Sequence, residues 1–205
     1  MSPYAGGCIM KKIPVGISGR HVHVTQEHLE TLFGNGFELT ILKDLSQPGQ
    51  YAANEKVDLI SPEGKTLAGV RILGPVRPAS QVEISQSDAL RFKFSAPVRS
   101  SGDVKGSGAC TLVGPQGRVV LEEGVIIADR HIHFSDEEAL VFGVTDRQLV
   151  SIKIGGEKPG ILDNVLCRVS PKFRLDCHLD TDDGSAFMLK TGDKVELIKS
   201  YTINE

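Results

Sequence analysis

Short runs of apolar residues, each rich in valine and isoleucine, recur along the whole chain. Glycine and proline separate them: the 205 residues include 22 glycines and 10 prolines. Runs of this length and spacing predict β-strands arranged in barrels or sandwiches, and no stretch shows the strand–helix alternation of a large α/β sheet. The predicted strand runs are residues 13–17, 56–60, 66–73, 109–113, 118–121, 125–128, 149–154, 164–169 and 194–198.

Residues 20–29 and 130–139 form an internal repeat, offset by 110 residues. Each copy is a β-like run containing His-x-His, then a Thr or Ser, then an acidic segment that favours a helix. Thr25 and Ser135 stand where a helix N-cap is expected, and residues 135–138 form a capping box. The repeat therefore predicts two matched corners at which a strand turns into a short helix.

Two further segments follow the same sequence pattern less closely. Residues 81–88 carry Glu83 before the cap candidate Ser85, and residues 176–183 carry His178 before the cap candidate Thr181. Four corners thus each deliver a potential metal ligand two or three residues before a cap. The chain is predicted to be all-β with short capping helices, folded as two β-barrel domains with the metal site at their interface.

The two His-x-His motifs are candidate metal chelates, because alternate residues of a strand point to the same face. Five histidines and one glutamate make six candidate ligands, which divide into two sites of three, each with an open position as in catalytic zinc sites. The predicted sites are His21, His23 and Glu83 for one metal, and His131, His133 and His178 for the other. The sixth histidine, His28, lies in a helical pattern and is predicted to face solvent.

Residues 71–77, Arg-Ile-Leu-Gly-Pro-Val-Arg, place an arginine on a fixed bend shortly before Glu83. Arg77 follows the Gly-Pro pair by two residues and precedes Glu83 by six. A guanidinium held on a rigid turn beside a dication is suited to gripping phosphate through two parallel hydrogen bonds. Arg77 is therefore a candidate phosphate-binding and catalytic residue.

Composition narrows the possible functions. A net charge of −3, a pI near 6.1 and the absence of tryptophan argue against nucleic acid as the partner. No apolar stretch reaches the roughly 18 residues of a membrane span, and the head of the chain lacks a signal-peptide core, so we expect a cytoplasmic protein. Four irregularly spaced cysteines exclude a disulfide scaffold and a zinc ribbon, and we expect them to be free and mostly buried.

The motifs together resemble the PduL-type phosphotransacylases, or phosphate propanoyltransferases. The resemblance runs from about residue 13 to residue 197, with the motifs in the family order. They are Arg-His-Val-His at 20–23, Gln-Pro-Gly-Gln-Tyr-Ala-Ala at 47–53, Leu-Gly-Pro-Val-Arg at 73–77, Gln-Val-Glu-Ile-Ser at 81–85, Arg-His-Ile-His at 130–133, and Arg-Val-Ser-Pro at 168–171 followed by His178.

The resemblance implies the reaction acyl-CoA + phosphate ⇌ acyl phosphate + CoA on two zinc ions between two barrels. It implies that the first strand belongs to the C-terminal barrel, so the predicted domains are residues 10–19 plus 129–205, and residues 20–128. The six ligands above match the family's two zinc sites, and Arg77 matches its phosphate-binding arginine. Residues 47–53 match the segment that approaches coenzyme A, and within it we take Gln50 as a substrate contact.

Family members packed into bacterial microcompartments carry an amphipathic N-terminal helix. The residues before the first strand here include Pro3, Gly6 and Gly7, which oppose a helix, so shell association is doubtful. A free cytoplasmic enzyme, acting on acetyl or propanoyl groups, is the expectation. A homodimer is the default expectation for a soluble enzyme.

No Ser-His-Asp order stands out, so phosphate itself is the expected nucleophile and no acyl-enzyme is predicted. A cupin-like mononuclear metal enzyme is the strongest alternative, since Glu27 and Glu137 follow the two His-x-His motifs as in that family. Against it, both glutamates fall in the first turn of predicted helices, and the second cupin motif is absent. A non-catalytic zinc-binding module is a further alternative. An amidohydrolase also begins with His-x-His, but its barrel needs a longer chain.

Overall fold

The computed structural model describes residues 12–198, which form strands interrupted by four short helices. The strands are β1 (Lys12–Ser18), β2 (His21–His23), β3 (Ile41–Asp44), β4 (Tyr51–Ile60), β5 (Thr66–Gly74), β6 (Gln81–Glu83), β7 (Val98–Arg99), β8 (Gly108–Val113), β9 (Arg118–Ala128), β10 (His131–Phe134), β11 (Leu149–Ile154), β12 (Gly160–Val169), β13 (Asp176–Asp180) and β14 (Lys194–Ile198). The helices are α1 (Gln26–Phe33), α2 (Gln86–Phe92), α3 (Asp136–Phe142) and α4 (Thr181–Ala186).

The chain divides into two compact units. Within the described residues, the terminal unit contains 12–16, Arg130–His178 and 184–198, and the central unit contains Ile17–Asp129 with Leu179–Asp183. The domain ranges given above, residues 10–19 plus 129–205 for one barrel and residues 20–128 for the other, stay a prediction.

The central unit is a closed barrel of six strands in the order β4-β5-β2-β6-β9-β8. The ring closes because β8 pairs with both β4 and β9, while β3 and β7 lie outside it on β4 and β9. Val22 and Val82 stand opposite each other in the β2–β6 pair and lie in the apolar core. The side chains that alternate with them on these two strands, including His21 and Glu83, therefore lie on the other face.

The terminal unit is a second closed barrel of six strands, in the order β1-β13-β10-β12-β11-β14. Within it β10 runs parallel to β12 and antiparallel to β13, as β2 runs parallel to β5 and antiparallel to β6 in the central unit. Its core contains fully buried apolar side chains, among them Ile13, Ile132, Ile152, Val165 and Val195. The two barrels therefore share one pairing scheme around their His-x-His strands.

The first strand of each sequence repeat pairs in the barrel that is formed mainly by the other repeat. β1 leads directly into β2 but pairs in the terminal barrel, and β9 leads directly into β10 but pairs in the central barrel. Residues 12–18 of β1 and 122–128 of β9 are separated by the same 110 residues as the His-x-His motifs. The offset thus relates whole structural repeats and not only the short motifs.

Hydroxyl side chains cap three of the four helices as predicted. Thr25, Ser85 and Ser135 each accept a hydrogen bond from the backbone N–H three residues later, and Glu138 completes a capping box with Ser135. The prediction for Thr181 is wrong, because Thr181 is already the first residue of α4. Asp180 replaces it, since its Oδ1 accepts from the N–H of Asp183 at 2.8 Å and Asp is an equally good cap.

The all-β prediction with two barrels and short helices is confirmed, and the differences are local. Runs 118–121 and 125–128 form one strand, β9, which continues through Gly124. Cys110, Cys167 and Cys177 are free and buried as predicted, whereas Cys8 and the prediction that no encapsulation helix precedes β1 concern residues outside the described part. Among residues 12–198, none of the helices has both the length and the apolar character of a membrane span.

Candidate metal sites

The first candidate site lies in the central unit, where β2 and β6 pair. His21 and His23 lie on one face of β2, and Glu83 on β6 stands directly opposite His21. We call these three buried residues the first triad. One ligand atom from each lies within 4.8 Å of the other two, and it is the one group among the described residues whose ligand atoms come so close. Two imidazoles and a carboxylate are the donor set of an open zinc site.

Backbone carbonyls orient both histidines of the first triad. Nδ1 of His21 donates to the carbonyl oxygen of Gly19 at 2.9 Å, and Nδ1 of His23 donates to that of Leu73 at 3.1 Å. Because a carbonyl oxygen only accepts, both rings carry a hydrogen on Nδ1, which leaves Nε2 as the nitrogen that can bind a metal. This is the arrangement in which metal-binding histidines are held in proteins.

The two oxygens of Glu83 have different surroundings. Oε1 accepts hydrogen bonds from Nε2 of Gln81 at 2.5 Å and from Oγ of Ser101 at 2.8 Å. Oε2 lies 3.3 Å from Nε2 of His21. One oxygen is therefore fixed by the protein, and the other faces the imidazole that would share the metal.

Two of the three residues of the first triad have the protonation state that a metal ligand requires. Burial alone would raise the pKa of Glu83, but the charge of His21 and their hydrogen bond outweigh it, so its pKa lies well below the ordinary value. Burial and the neighbouring charges of His21 and Arg77 lower the pKa of His23 to about 3. For His21 burial lowers the pKa, yet Glu83 outweighs it and the pKa is raised. Glu83 is thus ionised and His23 neutral, as ligands must be, whereas the raised pKa of His21 means that this imidazole gives up a proton when a metal binds.

Arg77 lies beside the first triad. Its backbone N–H donates to the carbonyl of Val24 at 2.9 Å, and its Nη1 lies 3.4 Å from Oγ of Ser101. Its positive charge lowers the pKa of both His21 and His23, which places the guanidinium within electrostatic reach of the rings. The turn that carries Arg77 thus brings a cation next to the candidate metal ligands.

The second candidate site lies in the terminal unit on β10 and β13. His131 and His133 share one face of β10, and His178 on β13 stands directly opposite His131. The three ring centroids lie 4.7 to 5.1 Å from one another, and we call these residues the second triad. Nδ1 of His133 is buried and, within residues 12–198, has no hydrogen-bond partner. A buried imidazole nitrogen that makes no hydrogen bond is able to bind a metal ion.

Neighbours of the second triad were not predicted from the sequence. Oδ2 of Asp176 lies 3.3 Å from Nε2 of His178, and the ring of Phe173 lies 4.2 Å from that of His133. Burial, then the charges of His131, His178 and Arg168, lower the pKa of His133 to about 2. Asp176 and its counterpart Gln81 each precede a third ligand by two residues, a strand spacing that could have identified them.

Other predicted residues lie elsewhere. Gln50 is in the turn before β4, where its N–H donates to the carbonyl of Gln47 at 3.2 Å, and its substrate role stays a prediction. His28 was predicted to face solvent but is half-buried, with Nδ1 2.7 Å from Oγ of Ser80. Glu27 and Glu137 are exposed in the first turns of α1 and α3, away from the ligand role that a cupin-like site requires.

The fold and the two triads define a double β-barrel protein with clustered imidazole and carboxylate ligands. Residues 14–190 match the family of phosphate propanoyltransferases. The chain is 48% identical over 195 residues to a phosphate propanoyltransferase of Thermotoga maritima, with 93% of this chain and 92% of that protein covered. It is 49% identical over 181 residues to one of Priestia megaterium, with 88% and 83% covered. The chain belongs to the phosphate propanoyltransferase family and is an acyltransferase, which confirms the resemblance found in its motifs.

Proposed function

We propose that this acyltransferase interconverts a short-chain acyl-CoA and phosphate with an acyl phosphate and CoA, with one zinc ion in each triad. The acyl group is propanoyl or acetyl. The observation that carries the proposal is the position of the Arg77 guanidinium. Its Nη1 lies 3.4 Å from Oγ of Ser101, and that hydroxyl donates to Glu83 of the first triad. The printed name of the relatives, phosphate propanoyltransferase, supports phosphate and a propanoyl group as the reactants.

The residues present fit zinc. Each triad offers three ligands of the kinds that zinc prefers, and two of the histidines are already oriented by backbone carbonyls. When bound, zinc supplies Lewis acidity that polarises a carbonyl group and affinity for a thiolate sulfur. Three ligands at each metal leave a position for a substrate.

Arg77 binds the attacking phosphate and orients it. Two parallel charge-assisted hydrogen bonds from its guanidinium hold a phosphate dianion. Because the phosphate is held in place, the free-energy cost of bringing it together with the anionic acyl-CoA falls. An oxygen of hydrogen phosphate attacks the thioester carbonyl carbon, a C–O bond forms and the C–S bond breaks. CoA leaves as a thiolate, which takes up the proton that the phosphate group loses. The step needs both substrates at once and no acyl-enzyme.

The turn at residues 47–50 is the proposed contact for coenzyme A, with Gln50 as a donor and acceptor. It immediately precedes Tyr51, which pairs with Gly74 in the β4–β5 ladder, three residues before Arg77. This connection supports a role for the turn next to the phosphate-binding arginine. We also propose that the protein acts in the cytoplasm as a homodimer.

The test is release of free thiol from acetyl-CoA and propanoyl-CoA by protein of measured zinc content, with and without phosphate. We expect phosphate-dependent release and about two zinc ions per chain. His131→Ala should lose one zinc and nearly all activity. Arg77→Gln should keep both zinc ions and lower kcat/KM about 100-fold, mainly through the KM for phosphate. Arg118→Gln, at an exposed position on β9, is the matched control.

Three results would contradict the proposal. Thiol release without phosphate indicates a thioesterase and removes the role of Arg77. Ping-pong kinetics or an isolable acyl-protein contradicts direct attack by phosphate. A zinc-loaded protein that releases no thiol from either substrate supports a metal-binding function without this chemistry.

A further inference from the structure

A buried polar side chain stands at the same register position beside each triad. On β6, Gln81 lies directly opposite His23, the second histidine of its motif. On β13, Asp176 lies directly opposite His133, the second histidine of the other motif. Both side chains are almost fully buried, with 2% and 4% exposure. Because burying a polar group is costly without a partner, each requires a specific hydrogen-bonding function.

Every polar atom of the Gln81 side chain has a partner near the first triad. Its Nε2 donates to Oε1 of Glu83 at 2.5 Å and to Oγ of Ser101 at 3.0 Å. Its Oε1 accepts from the backbone N–H of Gly102 at 2.6 Å. These bonds hold one carboxylate oxygen of Glu83, so that its other oxygen faces His21. Gln81 thereby fixes both the ligand and the loop that carries Ser101.

Asp176 has the corresponding relation to the third ligand of the second triad. Its Oδ2 lies 3.3 Å from Nε2 of His178, two residues along the same strand. Gly16 leaves room for this carboxylate, since a Cβ atom at that position would lie 3.1 Å from Oδ2. The contact has the distance of an ion pair and lacks hydrogen-bond geometry. A carboxylate that accepts an imidazole N–H orients the ring and fixes which nitrogen is left for a metal, and its position beside His178 suits Asp176 to that role.

The two positions match their ligands in hydrogen-bond polarity. The carboxylate ligand Glu83 has an amide donor beside it, and the imidazole ligand His178 has a carboxylate beside it. We propose that Gln81 and Asp176 are positioning residues, each orienting the third metal ligand of its own triad. The inference rests on the metal sites of the proposed function, and neither residue is itself a ligand.

The test measures zinc affinity by chelator competition in two backgrounds of the full chain. In His131→Ala only the first triad is complete, and in His21→Ala only the second. We expect Gln81→Glu, which keeps the shape but loses the donor, to weaken zinc binding 10- to 100-fold in the first background. Asp176→Ala should do the same in the second background. Asp176→Asn keeps an acceptor oxygen and should restore most of the affinity.

Cobalt substitution supplies a signature that a general loss of stability would not produce. The visible absorption of bound Co²⁺ should change in Gln81→Glu and in Asp176→Ala, and should return towards that of the parent in Asp176→Asn. Gln116→Glu and Asp163→Asn are matched controls at exposed positions, one in each unit, and should leave both readouts unchanged.

The outcomes separate this inference from the proposed function. Backgrounds that bind no zinc contradict the proposed metal sites and this inference with them. Backgrounds that bind zinc with the same affinity and cobalt spectrum in all variants contradict the positioning roles alone. Complete loss of the zinc in Asp176→Ala, without rescue by Asp176→Asn, makes Asp176 a ligand and overturns its assignment as a positioning residue.

Discussion

The two triads share one backbone arrangement but differ in the charge of their ligands. In both units a His-x-His strand has a parallel neighbour on one side and, on the other, an antiparallel neighbour whose third ligand faces the first histidine. An apolar residue, Val22 or Ile132, separates the histidines and points into the core. The backbone arrangement is thus the same, and the difference lies in the third ligand, which is Glu83 in one triad and His178 in the other.

This single difference changes the electrostatics of the metal-free sites. In the first triad Glu83 and His21 stabilise each other's charged forms, since the pKa of the carboxyl is lowered and that of the imidazole raised. In the second triad His133 is disfavoured as a cation by burial and by its positive neighbours. A dication bound by three neutral imidazoles also keeps more positive charge than one bound by a carboxylate. The same fold therefore provides two sites of unequal charge.

The largest expected effect comes from converting the second triad into a copy of the first. His178→Glu alone places a carboxylate beside Asp176, and like charges at this distance repel. We expect zinc affinity at this site to fall about 100-fold. Adding Asp176→Gln supplies the amide donor that Gln81 provides in the first triad, and the double variant should recover most of the affinity. Zinc titration in the His21→Ala background measures both.

The control for this exchange is Asp176→Gln alone, which removes the carboxylate beside His178 and should also weaken zinc binding. A double variant that binds no better than His178→Glu would show that the two positions are not equivalent. The comparison between the triads would then hold for the backbone only.

The next effect concerns the acid stability of the metal-free protein. The pKa of His133 is lowered to about 2, so below its ordinary value of 6.5 the unfolded chain binds a proton that the folded chain does not. Unfolding free energy therefore falls on acidification. The pKa of His21 is raised, so its stabilisation is present in full below pH 6.5 and is lost as the pH rises through the folded-state value. His133→Gln should flatten the acid-side fall in stability, and His21→Gln should steepen it.

Urea unfolding of zinc-free protein between about pH 7.5 and pH 5 measures these slopes, each proton contributing up to about 1.4 kcal/mol per pH unit. The two variants serve as controls for each other, because both remove a buried histidine from a His-x-His strand. Slopes that change in the same direction would mean that Glu83 does not compensate for the burial of His21, and the electrostatic contrast would fail.

The sequence predicted those features that depend on local spacing. The period-2 placement of His21 and His23, repeated 110 residues later, identified the triads, and hydroxyl residues identified three helix starts. Features that depend on pairing across strands were missed. The positions of Gln81 and Asp176 beside the triads can be recognised only when the register of β6 and β13 with the histidine strands is known. The prediction that the first strand joins the terminal barrel came from the family resemblance, since no local pattern states which sheet a strand joins.

The smallest expected effect concerns the hydrogen bond donated by the backbone N–H of each N-cap residue, Thr25 before α1 and Ser135 before α3. In the central unit Oγ of Ser80, a buried residue distant in sequence, accepts from the N–H of Thr25 at 3.0 Å and also contacts His28. In the terminal unit Glu138 accepts from the N–H of Ser135 at 2.8 Å. Ser80→Ala leaves buried groups unsatisfied and should cost about 1 kcal/mol.

Glu138→Ala should cost about half as much, because its side chain is only half-buried and water replaces the lost acceptor. Urea unfolding at neutral pH measures both, and Ser80→Thr, which keeps the hydroxyl, is the control for the first. A larger loss in Glu138→Ala than in Ser80→Ala would show that the local capping box, and not the long-range hydroxyl, is the stronger support. The two histidine corners would then differ in what holds them as well as in what they bind.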